Sequence, residues 1–531
     1  MPSRNLNIII IAACLSALCY FVQRRAKTAM MVGDALEMID TFYVDPVDHD
    51  DLLIAAMDGM TSKLDEHSEF IPRDAYESFQ DSINQEFAGI GIFVEQPEPG
   101  EPVRVVTPLV GSPALRAGIM PGDEIVRVDG QDVSKMELQQ VSARLKGQVG
   151  TSVRLSVRRN DGTIDLTVRR GRIELESVIG SYRDPENRWV YRLREDPSIA
   201  YVRLTGFGDK TVSELERVLK ELNNDFAALI LDLRGNGGGL LHAAVDVSNM
   251  FLNTGRIVST KTRGGELDDR FNAEPGTLVD LDKPLAVLID GNSASASEIV
   301  AACLQDNQRS AIVGSRSFGK GTVQNILPLQ YGRSALRLTI ARYYRPNGEN
   351  IHRKQDASES DQWGVTPDEG LVVELDETSL RRLAKHWREA SYPSLAASRS
   401  DQATKTADDT DGDLLNQDQP AMPPEKSSDD ASELSIDPQL RRAVEHLKDR
   451  NHQQKGRGKA RDRLETGIVR LQENSHDLLR KSHRRHNQRQ QHRRADAHAE
   501  QPAPPRRNLG TAAGAVGDPN HGRLGEPKAE H

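Results

Sequence analysis

Ser295, Lys320 and Gln324 are the residues of this chain whose types and spacing best suit covalent chemistry. In DGNSASASEIVAACLQDN (290–307) an apolar strand ends at Asp290, Gly-Asn turns the chain, and small residues lead into a helix. A serine at such a strand-to-helix turn is exposed, and the helix N-terminus supplies partial positive charge where an oxyanion would form. Ser295-Ala-Ser-Glu298 is also a capping-box pattern, which needs no chemistry. Twenty-five residues on, SFGKGTVQ (317–324) places Lys320 between two glycines, after the apolar stretch Ala311–Val313. Burial there would penalise the ammonium and lower its pKa towards the range a general base requires. Gln324 is placed to orient the amine without adding charge.

Two other readings of these residues fall short, and a third segment adds to the site. Gly314–Lys320 fits G-x-x-x-x-G-K, but the next residue is Gly321 where a phosphate-binding loop needs Ser or Thr for Mg²⁺. His242 and His352 are the histidine candidates for a base within the α/β region, and nothing near His242 completes a triad, so the Ser–Lys pairing fits better. LDLRGNGGG (231–239) runs a buried strand into a loop whose backbone N–H groups can donate to a carbonyl oxygen, although glycine-rich turns are common after parallel strands.

The elements that must position these groups follow from periodicity. Residues 173–394 alternate strands (198–207, 227–235, 285–290, 311–315) with helices (211–222, 240–251, 295–305), an α/β core with crossover connections. Residues 86–172 change to alternating short strands with one or two short helices, a β-rich domain. In it, Ser112-Pro113 opens a helix that Gly118 ends. Residues 28–85 have helical spacing and read as a docking or dimerisation region.

Leu6–Val22 is an apolar run at the lower limit for a bilayer-spanning helix. It lacks a convincing cleavage site, so 1–27 is expected to be a signal-anchor in preference to a cleaved signal peptide. Its flanking charges would place Arg24 and Arg25 in the cytoplasm. Residues 395–435 form an acidic linker, 436–450 hold a short helix, and 451–531 read as a disordered tail. The net charge of −10 argues against nucleic-acid binding by the whole protein. Of the three cysteines, Cys14 and Cys19 lie in the apolar run, which leaves Cys303 without a disulfide partner in the globular part.

Taken together, LDEHSEFI (64–71), FAGIGIFVE (87–95), SPALRAGIMPGDEIVRVDG (112–130), LDLRGNGGG (231–239), SASASEIVAACLQDN (293–307), VGSRSFGKGTVQ (313–324), LRLTIARYYRPNG (336–348) and GVTPD (364–368) resemble the carboxyl-terminal processing peptidases, or tail-specific proteases. The resemblance covers roughly residues 30–375. It implies a multidomain α/β fold: a crotonase/ClpP-like protease core, an inserted PDZ domain at 86–172 and an N-terminal helical region. It implies an ATP-independent serine endopeptidase with Ser295 as nucleophile, Lys320 as base and Gln324 as its support. The oxyanion hole would come from Ala296 with Gly235 or Gly237. The Gly89-Ile90-Gly91-Ile92 loop would receive a peptide's terminal carboxylate, and Lys146 stands where the family often has arginine. No metal or organic cofactor is implied. Substrates would be proteins or peptides with free C-termini, met in the cell envelope or periplasm by a membrane-anchored or exported enzyme, which could form a homodimer through its N-terminal helices. That location conflicts with the flanking charges of the apolar run. A non-catalytic PDZ adaptor and an acyl-CoA enzyme on a crotonase-like core are the competing readings.

Overall fold

The computed structural model describes residues 29–391 and 432–453, apart from 161, 266, 330, 331, 355 and 359, together with scattered residues of 12–27 and 477–489. Most of the Leu6–Val22 run, the acidic linker up to residue 431 and most of the tail therefore lie outside the described residues, while the linker's end, 432–435, is described and enters the helix Glu433–Ile436. Among the described residues no helix is long and apolar enough to cross a membrane. The chain divides into two compact units, Met1–Gln453 and Gln454–His531.

At the centre of the first unit is a five-stranded sheet in the spatial order Val178–Ile179, Ile199–Leu204, Ala228–Asp232, Leu285–Ile289 and Ala311–Gly314. The last four strands run parallel, with Leu231 opposite Val287 and Val287 opposite Ile312. Each of the inner strands is buried on both faces, which is why ALILD and LAVLI are nearly unbroken apolar runs. One face, through Leu229, Leu231 and Val287, packs on helices Thr211–Leu222, Leu241–Asn249 and Ala296–Asp306. Thr211–Leu222 buries Leu215, Val218, Leu219 and Leu222 at helical spacing, and Asn223 ends it in the left-handed conformation (φ 45°).

The other face, through Ile230, Ala286 and Val313, is covered by Leu440, Ala443, Val444 and Leu447 of a helix spanning 438–453. The sequence suggests a short helix beyond a linker. The fold makes it a layer of the core, because its i, i+3, i+4, i+7 stripe closes a sheet face that would otherwise meet water.

A second sheet pairs Glu69–Ile71, Ser334–Tyr344, Arg256–Lys261 and Leu267–Asn272, with Thr322–Leu329 joined to Ser334–Tyr344. Glu69–Ile71 is thus a strand within a region expected to be helical, held by pairing with Ala335–Arg337. Around it the N-terminal region is helical at 29–42, His49–Thr61 and Arg73–Asn84.

The β-rich domain is built on Ile92–Glu95, Val103–Pro108, Glu124–Val128, Ser152–Arg159 and Gly162–Arg169, in that spatial order, so Ile92–Glu95 is an edge strand. Its own core contains Val103, Ile119, Ile125, Val141 and Leu155. Both connections to the rest of the chain run through one antiparallel ribbon, Glu86–Gly89 against Gly171–Glu174.

Candidate active site

Three neighbouring parallel strands deliver the candidate groups from their carboxyl ends, where open parallel sheets place their sites. Ala228–Asp232 leads into the 235–239 glycine loop, Leu285–Ile289 into Ser295, and Ala311–Gly314 into Lys320. Ser295 sits at the start of helix Ala296–Asp306 with φ 55° and ψ −113°. This region is sparsely populated for a residue with a side chain and costs about 1–3 kcal/mol, a strain typical of functional turns.

The strain is held by hydrogen bonds from all sides. Glu298, one turn into the helix and fully buried, accepts the Ser295 N–H at Oε2 (2.8 Å). The same Oε2 accepts the Lys320 N–H at 2.8 Å, while Oε1 accepts the Gly319 N–H and the Ser317 hydroxyl, each at 2.6 Å. One carboxylate therefore joins the serine turn to the lysine loop. Burial raises the Glu298 pKa to about 7, against the pull of these four donors. Sequence reasoning reads Glu298 as a cap residue only. The Ser-x-x-Glu spacing signals its first bond, but the other three come from a loop about twenty residues downstream.

Asn236 ties the glycine loop to the serine turn. Its carbonyl accepts the Ala294 N–H (3.0 Å) and the Ser297 hydroxyl (2.8 Å), and its side chain accepts the Gly238 N–H (2.9 Å). Gly238, with φ 100°, packs so closely on the turn that a Cβ there would lie 2.8 Å from Ser295 Cβ. Only glycine permits this approach.

Of the expected oxyanion donors, the Ala296 and Gly237 N–H groups have no acceptor among the described residues. Gly235 does not serve: its N–H donates to Asp290 Oδ1 at 2.9 Å, because the strand-end carboxylate turns back over the loop.

Lys320 is half-buried, and its pKa lies below the ordinary ammonium value. Burial is the main cause and the Arg337 charge adds to it, opposed by Glu298, Glu69 and Asp65. Its amine makes no hydrogen bond to the Ser295 hydroxyl. That side chain interacts with the Tyr343 hydroxyl, whose pKa burial pushes up to about 12. Catalytic hydrogen bonds are often long or unformed before substrate binds.

Gln324 makes no hydrogen bond to the lysine among the described residues. A register shift between Val323 and Gln324 re-aims its side chain, and its amide donates to Thr322 Oγ1 (2.8 Å) and Thr339 Oγ1 (3.2 Å). Thr339 in turn donates to Asp65 Oδ1 (3.2 Å). His67, whose pKa burial and the Lys320 charge lower, belongs to the same neighbourhood. The site thus borrows from the 64–71 segment, which the sequence marks only as a matching block.

Gly321 accommodates the neighbouring chain, since a Cβ there would collide with the backbone nitrogen of His352. His242 lies in the first turn of helix Leu241–Asn249 and belongs to none of these bonds.

In the β-rich domain the Gly89–Ile92 segment leads directly into the edge strand. Gly89 pairs with Gly171, and the carbonyls of Ile90 and Gly91 accept the N–H groups of Ala114 and Leu109. The Ile90 side chain is buried in the domain core, so it does not line a groove. Phe93, Val94 and Glu95 line a cavity of about 480 Å³ whose other wall includes Ala384, Trp387 and Arg388 of helix Glu377–Ser391. Lys146 does not point to a peptide site. Its ammonium donates to Ser78 Oγ (3.1 Å) and stands 3.9 Å from Asp81, which joins the domain to helix Arg73–Asn84.

A family model described as peptidase family S41 matches residues 198–371, and a PDZ domain model matches 104–159. A carboxy-terminal-processing protease of Bartonella bacilliformis is 38% identical over 359 residues, covering 66% of this chain and 76% of that protein. The chain belongs to peptidase family S41. Carboxy-terminal processing protease CtpA of Bacillus subtilis is 34% identical over 363 residues, covering 65% and 74%. The carboxyl-terminal-processing protease of a Synechocystis strain is 34% identical over 325 residues, covering 60% and 70%. This S41 peptidase is a serine protease with a PDZ domain, and the segments that converge at the sheet's carboxyl edge all lie within the S41 match.

Proposed function

We propose that this S41 protease cleaves proteins through an acyl-enzyme on Ser295, with Lys320 as general base. The observation that carries the reading is the convergence of a strained serine turn, two N–H groups without an acceptor among the described residues and a half-buried lysine, with one buried carboxylate joining turn and lysine loop. The neutral Lys320 amine takes the hydroxyl proton as Ser295 Oγ attacks the scissile carbonyl. The Ala296 and Gly237 N–H groups receive the oxyanion. On collapse the C–N bond breaks and the Lys320 ammonium gives its proton to the leaving amine. Water, deprotonated by the same amine, then attacks the ester and releases Ser295. Nucleotide takes no part in these steps.

The PDZ domain selects the substrate. Its edge strand, Ile92–Glu95, accepts an extended peptide as an added strand, and the N–H groups of Gly89–Ile92 receive the terminal carboxylate. The parallel sheet with helices on both faces supports a crotonase/ClpP-like core. Exposed Met30, Met31, Met38, Phe42 and Val44 support a second copy of the chain as a partner of the N-terminal helices. The apolar Leu6–Val22 run supports a membrane anchor or export signal and a place in the cell envelope.

The experiment is cleavage of an unfolded protein with a free C-terminus by the full chain. Ser295→Ala and Lys320→Ala are expected to lose at least about a thousandfold in rate. Undiminished cleavage by Ser295→Ala overturns the assignment.

A further inference from the structure

Arg234, the residue immediately before the glycine loop, is buried at 1% exposure in the core, and every guanidinium nitrogen has a partner. Asp232 accepts from its Nε (3.0 Å) and Nη2 (2.6 Å). Asp437 accepts from Nη1 (2.9 Å) and Nη2 (2.7 Å), and Gln439 Oε1 accepts from Nη1 (3.1 Å). Asp437 and Gln439 are equally buried and belong to the C-terminal segment, more than two hundred residues further along the chain. Asp437 also caps the 438–453 helix by accepting the Leu440 N–H (2.9 Å), and Gln439 donates to the Val373 carbonyl (2.8 Å).

A run of glycines has no side chains with which to hold its place, and each costs more backbone entropy to order than other residues. The 235–239 loop is therefore located by its anchors. Asn236 holds its middle and the Phe207 backbone holds its end, through Phe207 N–H to Gly238 O (3.0 Å). At its start stands Arg234, whose carbonyl accepts from Arg203 Nη2 (3.2 Å). Asp232 alone grips one edge of the guanidinium. The bidentate grip of Asp437 on the other edge removes the remaining freedom to pivot.

We propose that Asp437 is a positioning residue: by fixing Arg234 from the C-terminal segment, it sets the height of the glycine loop beside Ser295. The inference rests on the reading of that loop as the oxyanion site. It makes the 432–453 segment part of the catalytic apparatus, although the chain reaches it only through residues 392–431.

Asp437→Asn tests this in the full chain, since it keeps the shape and the helix-capping oxygen while removing the charge. With an unfolded protein as substrate, kcat is expected to fall about tenfold or more with KM within about twofold, and labelling of Ser295 by a fluorophosphonate to slow in parallel. Asp437→Glu is expected to restore most of the rate. Gln439→Ala keeps both ion pairs and is expected to lose about threefold in kcat alone, so it serves where Asp437→Asn does not fold. Wild-type kcat in folded Asp437→Asn, or in Gln439→Ala where the first is unfolded, overturns the proposal, as does a loss that only tracks the unfolded fraction. An active Ser295→Ala variant would instead strike the underlying assignment on which this inference rests, a failure distinct from wild-type kcat in Asp437→Asn.

Discussion

Glu298 Oε2 lies 2.8 Å from the backbone nitrogen of Ser295 and 2.8 Å from that of Lys320. The nucleophile and the base thus share one anchor, and neither side chain is used to make it. Once ionised, a carboxylate suits the place because it accepts at both oxygens and offers no proton to the four donors facing it. In Glu298→Gln the amide NH₂ would face N–H donors, so the serine turn and the lysine loop would separate. We expect kcat to fall about a hundredfold with KM little changed, measured by substrate cleavage and by the rate of fluorophosphonate labelling.

The same carboxylate gives stability a pH slope. Its pKa is raised from 4.5 to about 7 in the folded chain, so between those values the folded state holds a proton that the unfolded state has lost. Stability from this group is greatest below pH 4.5 and declines as pH rises to about 7, by up to about 3 kcal/mol. Denaturant unfolding of wild type and Glu298→Gln at pH 5 and pH 8 checks the sign. The difference between the two pH values should shift towards relatively greater stability at pH 8 in the variant. An unchanged difference would mean that Glu298 ionises normally.

Lys320 sets the alkaline requirement for activity. Its pKa is lowered, first by burial and then by Arg337, so the neutral amine is reached at a lower pH than for a free lysine. The rate constant kcat/KM should rise with pH through this pKa and level off below the ordinary lysine range. Lys320→Arg keeps the charge but cannot become neutral in this range, and should be inactive at every pH tested. Removing the Arg337 charge with Arg337→Gln should move the rising limb to higher pH.

Much of this architecture is legible in the chain because of where its strands lie. Ala228–Asp232, Leu285–Ile289 and Ala311–Gly314 are buried on both faces, so their apolar runs announce a parallel sheet. Thr211–Leu222 is equally plain from its 3.6-residue stripe. What stays hidden depends on partners distant in sequence. Glu69–Ile71 is a strand only because Ala335–Arg337 pairs with it. Asp290 claims the Gly235 N–H across the end of the sheet. A local bulge turns Gln324 to the threonines, and Lys146 finds Ser78 on a helix sixty-eight residues away. Local pattern carries none of these contacts.

Gly321 offers a test of the lysine loop that leaves every polar group in place. Tyr343 donates its N–H to the Gly321 carbonyl at 2.9 Å, and the backbone of His352 occupies the space a side chain would need. Gly321→Ala must therefore displace either the 352–353 backbone or Lys320 itself. We expect a stability loss of about 1–3 kcal/mol, read from denaturant unfolding, and a fall in kcat larger than that loss of folded protein explains. Full activity would mean that the loop yields without moving the amine.

Peptide capture by the PDZ domain can be separated from cleavage in the inactive Ser295→Ala chain. If the N–H groups of Gly89–Ile92 receive a terminal carboxylate, an amidated peptide of the same sequence loses a charge-assisted contact while keeping its main-chain pairing with Ile92–Glu95. Binding measured by fluorescence anisotropy should weaken about tenfold or more for the amide. Phe93→Asp, on the exposed side of the edge strand, should weaken both peptides by a similar factor, because it disturbs the cleft shared with Trp387 and not the carboxylate loop. Equal affinity for acid and amide would place recognition in the strand alone.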